Sequence, residues 1–375
     1  MNDTLDLGLR FVVEPAGSVL SAQEAEQLRM LRPAGIMLRR RNLIQDAPYD
    51  QWLAAYSKLL IDVRNAIGRD RIIVSVDHEG GQVHRFPPPI TRFPYPALYA
   101  AESSAVKAVA TAMAEELSSL GINVSFSPSV DIHSNPNNPV INQRAFGTTA
   151  EQVIAAAACF AEALRAGGIT PCAKHFPGHG DTKTDSHTEL PVVDSPLKLL
   201  EQREFAPFRA LIERNIEMIM SAHIALAQVD PGVPATMSRK IMTDILRKQL
   251  GFQGVTIADA LGMSGVASHV ARKDLATRAH EAGIDLMLMV GDAIGIADAI
   301  QAKENLALFC RGATADQGAE LEAAQSRISA LLQRCAQRTC SKLSERSLEN
   351  HRKLAESLGK NSQWAHFSFN PAGFT

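Results

Sequence analysis

Eight short runs rich in Val, Ile, Leu and Met recur along the chain, separated by longer segments whose apolar residues fall at helical spacing. That alternation confines the fold to parallel α/β architecture, because parallel strands need a crossover between them and a helix is the usual crossover. The runs span 7–13, 35–38, 72–76, 122–126, 169–173, 216–221, 255–258 and 284–289. Eight such strands, each followed by a helix, fit a closed (β/α)₈ barrel of the TIM type better than an open sheet. Local signals support the helices: Thr149 to Gln152 reads as a capping box, an alanine-rich run continues to Arg165, and Gly167 and Gly168 end it. The expected organisation is a single domain, with a barrel over 1–316 and a packed helical extension over 317–375. A tail from Asn361, containing Asn, Ser, Pro and Gly, is expected to be mobile.

Composition narrows the function classes. At 375 residues the chain has room for one full barrel, and 38 basic against 40 acidic residues leave no electrostatic footprint for nucleic acid or an anionic membrane. The five cysteines have no Cys-x-x-Cys pair among them and read as reduced. The N-terminus MNDTLDLGLRFVVEPAG carries acidic residues where a signal peptide needs basic ones, and its apolar stretch is short, so a cytoplasmic location is expected.

Chemistry gathers just after the strands, at the end of a parallel barrel whose loops form active sites. Asp77 follows the third strand and Asp131 the fourth; Lys174 and His175 close the fifth, His223 the sixth and Asp259 the seventh. Five consecutive strands delivering titratable groups to one rim imply a purpose, since such groups are costly to desolvate without partners. The densest stretch, KHFPGHGDTKTDSHTELP from Lys174 to Pro191, begins as a loop because its Pro-Gly-x-Gly turn forbids a helix. His175, His179 and His187 could ligate a metal, but Pro177, Gly178 and Gly180 spoil the helix on which His-x-x-x-His binds best. No metal and no organic cofactor is expected.

Three motifs, KHFPGHGDTKTDSH, VDHEGGQVHRF (76–86) and IADALGM (257–263), together resemble glycoside hydrolase family 3, and specifically its β-N-acetylglucosaminidases. The resemblance covers roughly 7–291, and the Asp-Ser-His ending at His187 discriminates this branch from the β-glucosidases. It implies that Asp259 is the nucleophile and that His187, paired with Asp185, is the general acid/base. A carboxylate accepting one imidazole N–H fixes the tautomer and raises the basicity of the other nitrogen. Asp77, Arg85, Arg144, Lys174 and His175 match positions that in the resembling enzymes hold the hydroxyls of the non-reducing sugar; Asp131 is expected to orient these basic groups and His223 to line the pocket. The sequence VINQRAFG around Arg144 departs from the family's pattern, which commonly has Gly near Asn142 and often Ser near Ala145.

The implied reaction is retaining hydrolysis of a terminal β-linked N-acetylglucosamine, and the family points to peptidoglycan-recycling substrates, N-acetylglucosamine joined to anhydro-N-acetylmuramic acid with or without peptide. The partner is therefore a small carbohydrate. The rival readings are a phosphorylase using the same residues, a non-catalytic sugar-binding barrel and a metal-dependent hydrolase.

Overall fold

The structure, a computed structural model, describes residues 5–186 and 188–360. His187 and the tail from Asn361 lie outside the described residues. Among the described residues ten strands occur: β1 (Phe11–Val13), β2 (Gly35–Leu38), β3 (Ile73–Val76), β4 (Val124–Ser125), β5 (Thr170–Phe176), β6 (Val192–Val193), β7 (Met218–Ser221), β8 (Ala225–Leu226), β9 (Val255–Ala258) and β10 (Met287–Met289). Eight of them pair in parallel in the order β10-β1-β2-β3-β4-β5-β7-β9. The remaining seam, β9 to β10, is joined by a single bridge between Ile257 and Leu286 and by the hydrogen bonds Ala258 N–H to Leu286 O and Leu261 N–H to Leu288 O, both 2.9 Å. The eight runs read from the sequence are therefore the eight staves of one nearly closed barrel, and β6 and β8 form a separate parallel pair at its rim.

Side-chain alternation along the strands builds two cores. Val12, Met37, Met218, Met220, Val255 and Ile257 point into the barrel, while Phe11, Val13, Ile36, Leu38, Ile219 and Ala258 point out to the surrounding helices. The helix Ala315–Arg334 closes the interior from one end, setting Ile328, Leu331 and Leu332 into the inner core. Its N-cap is Thr314 with Gln317 completing the capping box, and the box expected at Thr149 and Gln152 is formed as well.

Only β2 and β9 keep the bounds of their runs; of the other six, three differ for a visible local reason. Residues Leu7–Arg10 coil into a 3₁₀ turn because Gly8 packs on the carbonyls of Leu31 and Arg32, where a Cβ would lie 2.2 Å from Leu31 O. β4 is only two residues long because the Asn123 side chain takes over the ladder, its Oδ1 accepting from Val74 N–H at 2.8 Å and its Nδ2 donating to Ile72 O at 2.9 Å. β5 runs three residues past Ala173, and between Ala173 and Phe176 it advances three residues while β7 advances two. The extra residue is a bulge, and bulges re-aim side chains.

At the foot of β10, Asp285 is buried and binds Arg247 at 2.5 Å and Arg327 of the plugging helix at 2.7 Å. Burial raises its pKa, but Arg247 and Arg327 outweigh that and hold the carboxyl below its ordinary value. Asp285→Ala leaves these arginines half-buried around a void. The expected loss in urea unfolding is about 3–5 kcal/mol, and an unchanged midpoint would refute the clasp.

Candidate active site

β3 ends at Val76, and Asp77 and Glu79 follow it within three residues, both within reach of one ammonium. The bulge in β5 presents Lys174 opposite them. Its ammonium sits 2.7 Å from Asp77 Oδ1 and 2.6 Å from Glu79 Oε1, with the lysine side chain 2% exposed. Arg144 completes the cluster with a bidentate pair to Glu79, Nε to Oε2 and Nη2 to Oε1, both 2.8 Å. Arg85 Nη2 lies 3.5 Å from Asp77 Oδ2. Burial opposes charge on Asp77, Glu79 and Lys174, yet the partners win: Lys174 and Arg85 hold Asp77 below its usual range, Arg144 and Lys174 hold Glu79 far below, and Asp77 and Glu79 hold Lys174 above its own. These three stay ionised at neutral pH.

The second residue of the bulge, His175, turns to Asp131. Its Nδ1 is 2.6 Å from Asp131 Oδ2, and the same carboxylate accepts from Ser129 Oγ at 3.0 Å and from His179 N–H at 2.7 Å. Asp131 is 1% exposed; burial raises its pKa, but His175 above all brings it down to about 2. The carboxylate thus fixes the ring of His175 and the start of the following loop together.

Asp259 follows β9 directly and is half-buried, with Ala260 N–H donating to its Oδ1 at 2.7 Å. It shares a cavity of about 340 Å³ with Asp77, Arg85, Arg39, Met220, Met263 and Asp292. The space opens between strands on opposite sides of the barrel mouth, with Asp77 and Asp259 both lining it. His223 is buried beneath this point, its Nε2 3.0 Å from Ala260 O and its Nδ1 2.9 Å from Thr236 Oγ1, and so it holds the turn that carries Asp259. Asp185 is half-buried on the loop after β5; its carbonyl accepts from Thr188 N–H at 3.0 Å and Glu189 N–H at 3.1 Å.

The structure therefore brings Asp77, Arg85, Arg144, Lys174, His175 and Asp131 to one rim, with Asp259 across the cavity. Of the basic groups it was expected to orient, Asp131 contacts His175, and it also binds the N–H of His179. Asn142, at the position where glycine was expected, has φ +40°, a left-handed conformation that asparagine tolerates better than most residues. Sequence reasoning missed Glu79. The signal was present: three cations expected at one site need more than Asp77 to balance them, and Glu79 lies two residues on.

A parallel barrel with charged hydrogen-bonding side chains around a cavity at its strand ends is a frame on which glycoside hydrolases, among other enzymes, are built. Residues 10–329 match the N-terminal domain of glycosyl hydrolase family 3, and the chain belongs to that family. Among its relatives, the beta-hexosaminidase of Methylococcus capsulatus is 38% identical over 77% of this chain and 85% of that protein. Beta-hexosaminidase A of Pseudoalteromonas piscicida is 40% identical over 58% of this chain, a match that spans only 40% of that protein's length. The solved structure of a family 3 beta-N-acetylglucosaminidase from Paenibacillus superposes with a TM-score of 0.83 at 30% identity, covering 96% of this chain and 69% of that one.

Two expectations follow. Glu79→Ala removes the bidentate partner of Arg144 and half the counter-charge of Lys174, so it should lower unfolding stability by about 3–5 kcal/mol; a melting temperature like that of the unaltered protein would contradict the cluster's role. The second concerns acid. Burial first of all pushes His84, His179 and His280 down to about 4, so the native state keeps them neutral while the unfolded chain protonates them near 6.5. With more protons bound unfolded, stability rises with pH through this window and is lost as pH falls from 6.5 to 4, at roughly 1–3 kcal/mol per histidine. Asp131, depressed to about 2, adds a further loss as pH falls from 3.8 through 2. Urea titrations between pH 7 and 4 check this, and flat stability across that range would contradict it.

Proposed function

We propose that this glycoside hydrolase is a retaining exo-β-N-acetylglucosaminidase that releases a terminal β-linked N-acetylglucosamine through a covalent glycosyl-enzyme. The observation that carries the reading is the shared cavity in which Asp259 faces the Asp77, Lys174 and Arg85 cluster. An ionised Asp77 accepts from two sugar hydroxyls while Lys174 and Arg85 donate, which fixes the ring with its anomeric carbon toward Asp259. Arg144, locked to Glu79, holds that cluster in place, and His175 presents a ring whose orientation Asp131 sets.

In the first step the Asp259 carboxylate forms a bond to the anomeric carbon as the glycosidic C–O bond breaks, and His187 protonates the departing oxygen. In the second, His187 takes a proton from water, whose oxygen attacks the same carbon and frees Asp259. Asp185 stabilises the imidazolium between the two steps. This histidine replaces the second carboxylate of the usual glycosidase pair. Two inversions give net retention.

The substrates that the family resemblance implies are peptidoglycan-derived, N-acetylglucosamine on anhydro-N-acetylmuramic acid, and a cytoplasmic location goes with them. The names of the relatives support the sugar class. No described helix is long and apolar enough to cross a membrane.

The test is release of nitrophenol from 4-nitrophenyl N-acetyl-β-glucosaminide, with and without inorganic phosphate. Asp259→Ala should abolish turnover with folding intact. His187→Ala should cost about 10²–10⁴-fold on a substrate with a poor leaving group and far less on the nitrophenyl glycoside, because only the poor leaving group needs the proton. Equal losses on both would sink the acid assignment. Sugar 1-phosphate formed in place of free sugar would replace hydrolysis with phosphorolysis.

A further inference from the structure

His179 is buried at 2% exposure, and the mechanism gives it nothing to do. Every polar atom it owns is nevertheless engaged. Its N–H donates to Asp131 Oδ1 at 2.7 Å, and its carbonyl accepts from Asn138 Nδ2 at 2.8 Å and from Thr182 Oγ1 at 3.0 Å. Nδ1 lies 2.9 Å from Thr182 Oγ1, and Nε2 lies 3.0 Å from Ser186 Oγ. Thr182 and Ser186 are buried as deeply, at 0% and 2%.

Ser186 is the middle residue of Asp185-Ser-His187 and is fastened twice. Its hydroxyl meets His179, on the side of the barrel mouth that follows β5. Its carbonyl accepts from Gly265 N–H at 3.0 Å, six residues beyond Asp259 on the side that follows β9. Gly265 is required for that approach, since a Cβ there would come within 2.8 Å of Ser186 O. The socket is rigid as well. Gly180 lies so close to Ile132 that a Cβ would stand 1.6 Å from its carbonyl, and Asn138 Nδ2 also binds Gly180 O at 3.0 Å and Thr182 Oγ1 at 3.1 Å. Ser186 is thus held at its side chain by its own loop and at its backbone by the loop after β9, which keeps Asp185, the residue before it, in register.

We infer that Ser186 and His179 are positioning residues for the acid/base pair: the Ser186 hydroxyl docked on His179 Nε2 sets where Asp185 and His187 stand relative to Asp259. This rests on the proposed roles of Asp185 and His187. Neither Ser186 nor His179 takes or gives a proton to substrate. Losing the hydroxyl leaves the ring of His179 in place but releases one of the two fastenings, so the acid arrives less often in register. Misplacement by about 1 Å costs on the order of 10²-fold where geometry controls a step.

The experiment measures kcat and KM for Ser186→Ala, His179→Gln and His187→Ala on a series of aryl N-acetyl-β-glucosaminides of graded leaving-group pKa. Ser186→Ala is expected to lose about 10–100-fold in kcat/KM on the poorest leaving groups and less than about threefold on the best, steepening the dependence on leaving-group pKa in the same direction as His187→Ala. His179→Gln, which keeps a hydrogen-bonding group toward Ser186, is expected to fall between Ser186→Ala and the unaltered enzyme. A purely structural role would lower all substrates equally or only the melting temperature, and that result, or no change, overturns the inference while His187→Ala still shows the steep dependence. If His187→Ala shows none, the acid/base reading fails and the inference falls with it.

Discussion

Lys174 keeps a full positive charge at 2% exposure, and the mouth of an apolar barrel tolerates that only with opposite charge in contact. Asp77 and Glu79 supply it, and their own excess is answered by Arg85 and Arg144. The cluster therefore ties four places together: the end of β3, the bulge in β5, the loop carrying Arg144 and the proline-rich loop that begins at Arg85. Desolvating such charges brings little net stability, while losing one partner is expensive. That asymmetry makes the arrangement a device for fixing geometry. Where hydroxyls are to be read by direction, fixed donors and acceptors are worth more than additional apolar contact.

The bulge deserves the physical credit for the site's composition. In a regular strand, Lys174 and His175 would point to opposite faces. The extra residue between Ala173 and Phe176 lets both serve the rim, one reaching Asp77 and Glu79 and the other Asp131. Asp131 then couples His175 to the loop beyond it through the N–H of His179, so His175 and the loop that carries Asp185 share one carboxylate. Across the cavity, His223 supports the turn after Asp259 from below.

Much of this was legible in the sequence. Periodicity located all eight barrel strands, because a strand buried on both faces must be continuously apolar, and the charged residues at their ends marked the rim where they gather. Strand ends were less legible. The Asn123 side chain replaces part of a ladder and Gly8 packs against carbonyls, and neither contact has a signature in the local pattern. Glu79 escaped because a carboxylate beside a glycine pair reads as a turn residue until its two cations are in place. The docking of Ser186 on His179 depends on how a loop segment folds back on itself over a separation of seven residues, which hydrophobic patterning does not encode.

The central claim is that the cluster on β3 and β5 holds a sugar for attack by Asp259. The most direct measurement is to turn over a 5-fluoro N-acetyl-β-glucosaminyl fluoride, whose slowed hydrolysis accumulates the covalent species, and to map the adduct by peptide mass. The account predicts one added glycosyl mass per chain, carried by the peptide containing Asp259 and absent in Asp259→Ala. An adduct on another carboxylate, or turnover of the fluoride with inverted product and no adduct, would contradict it.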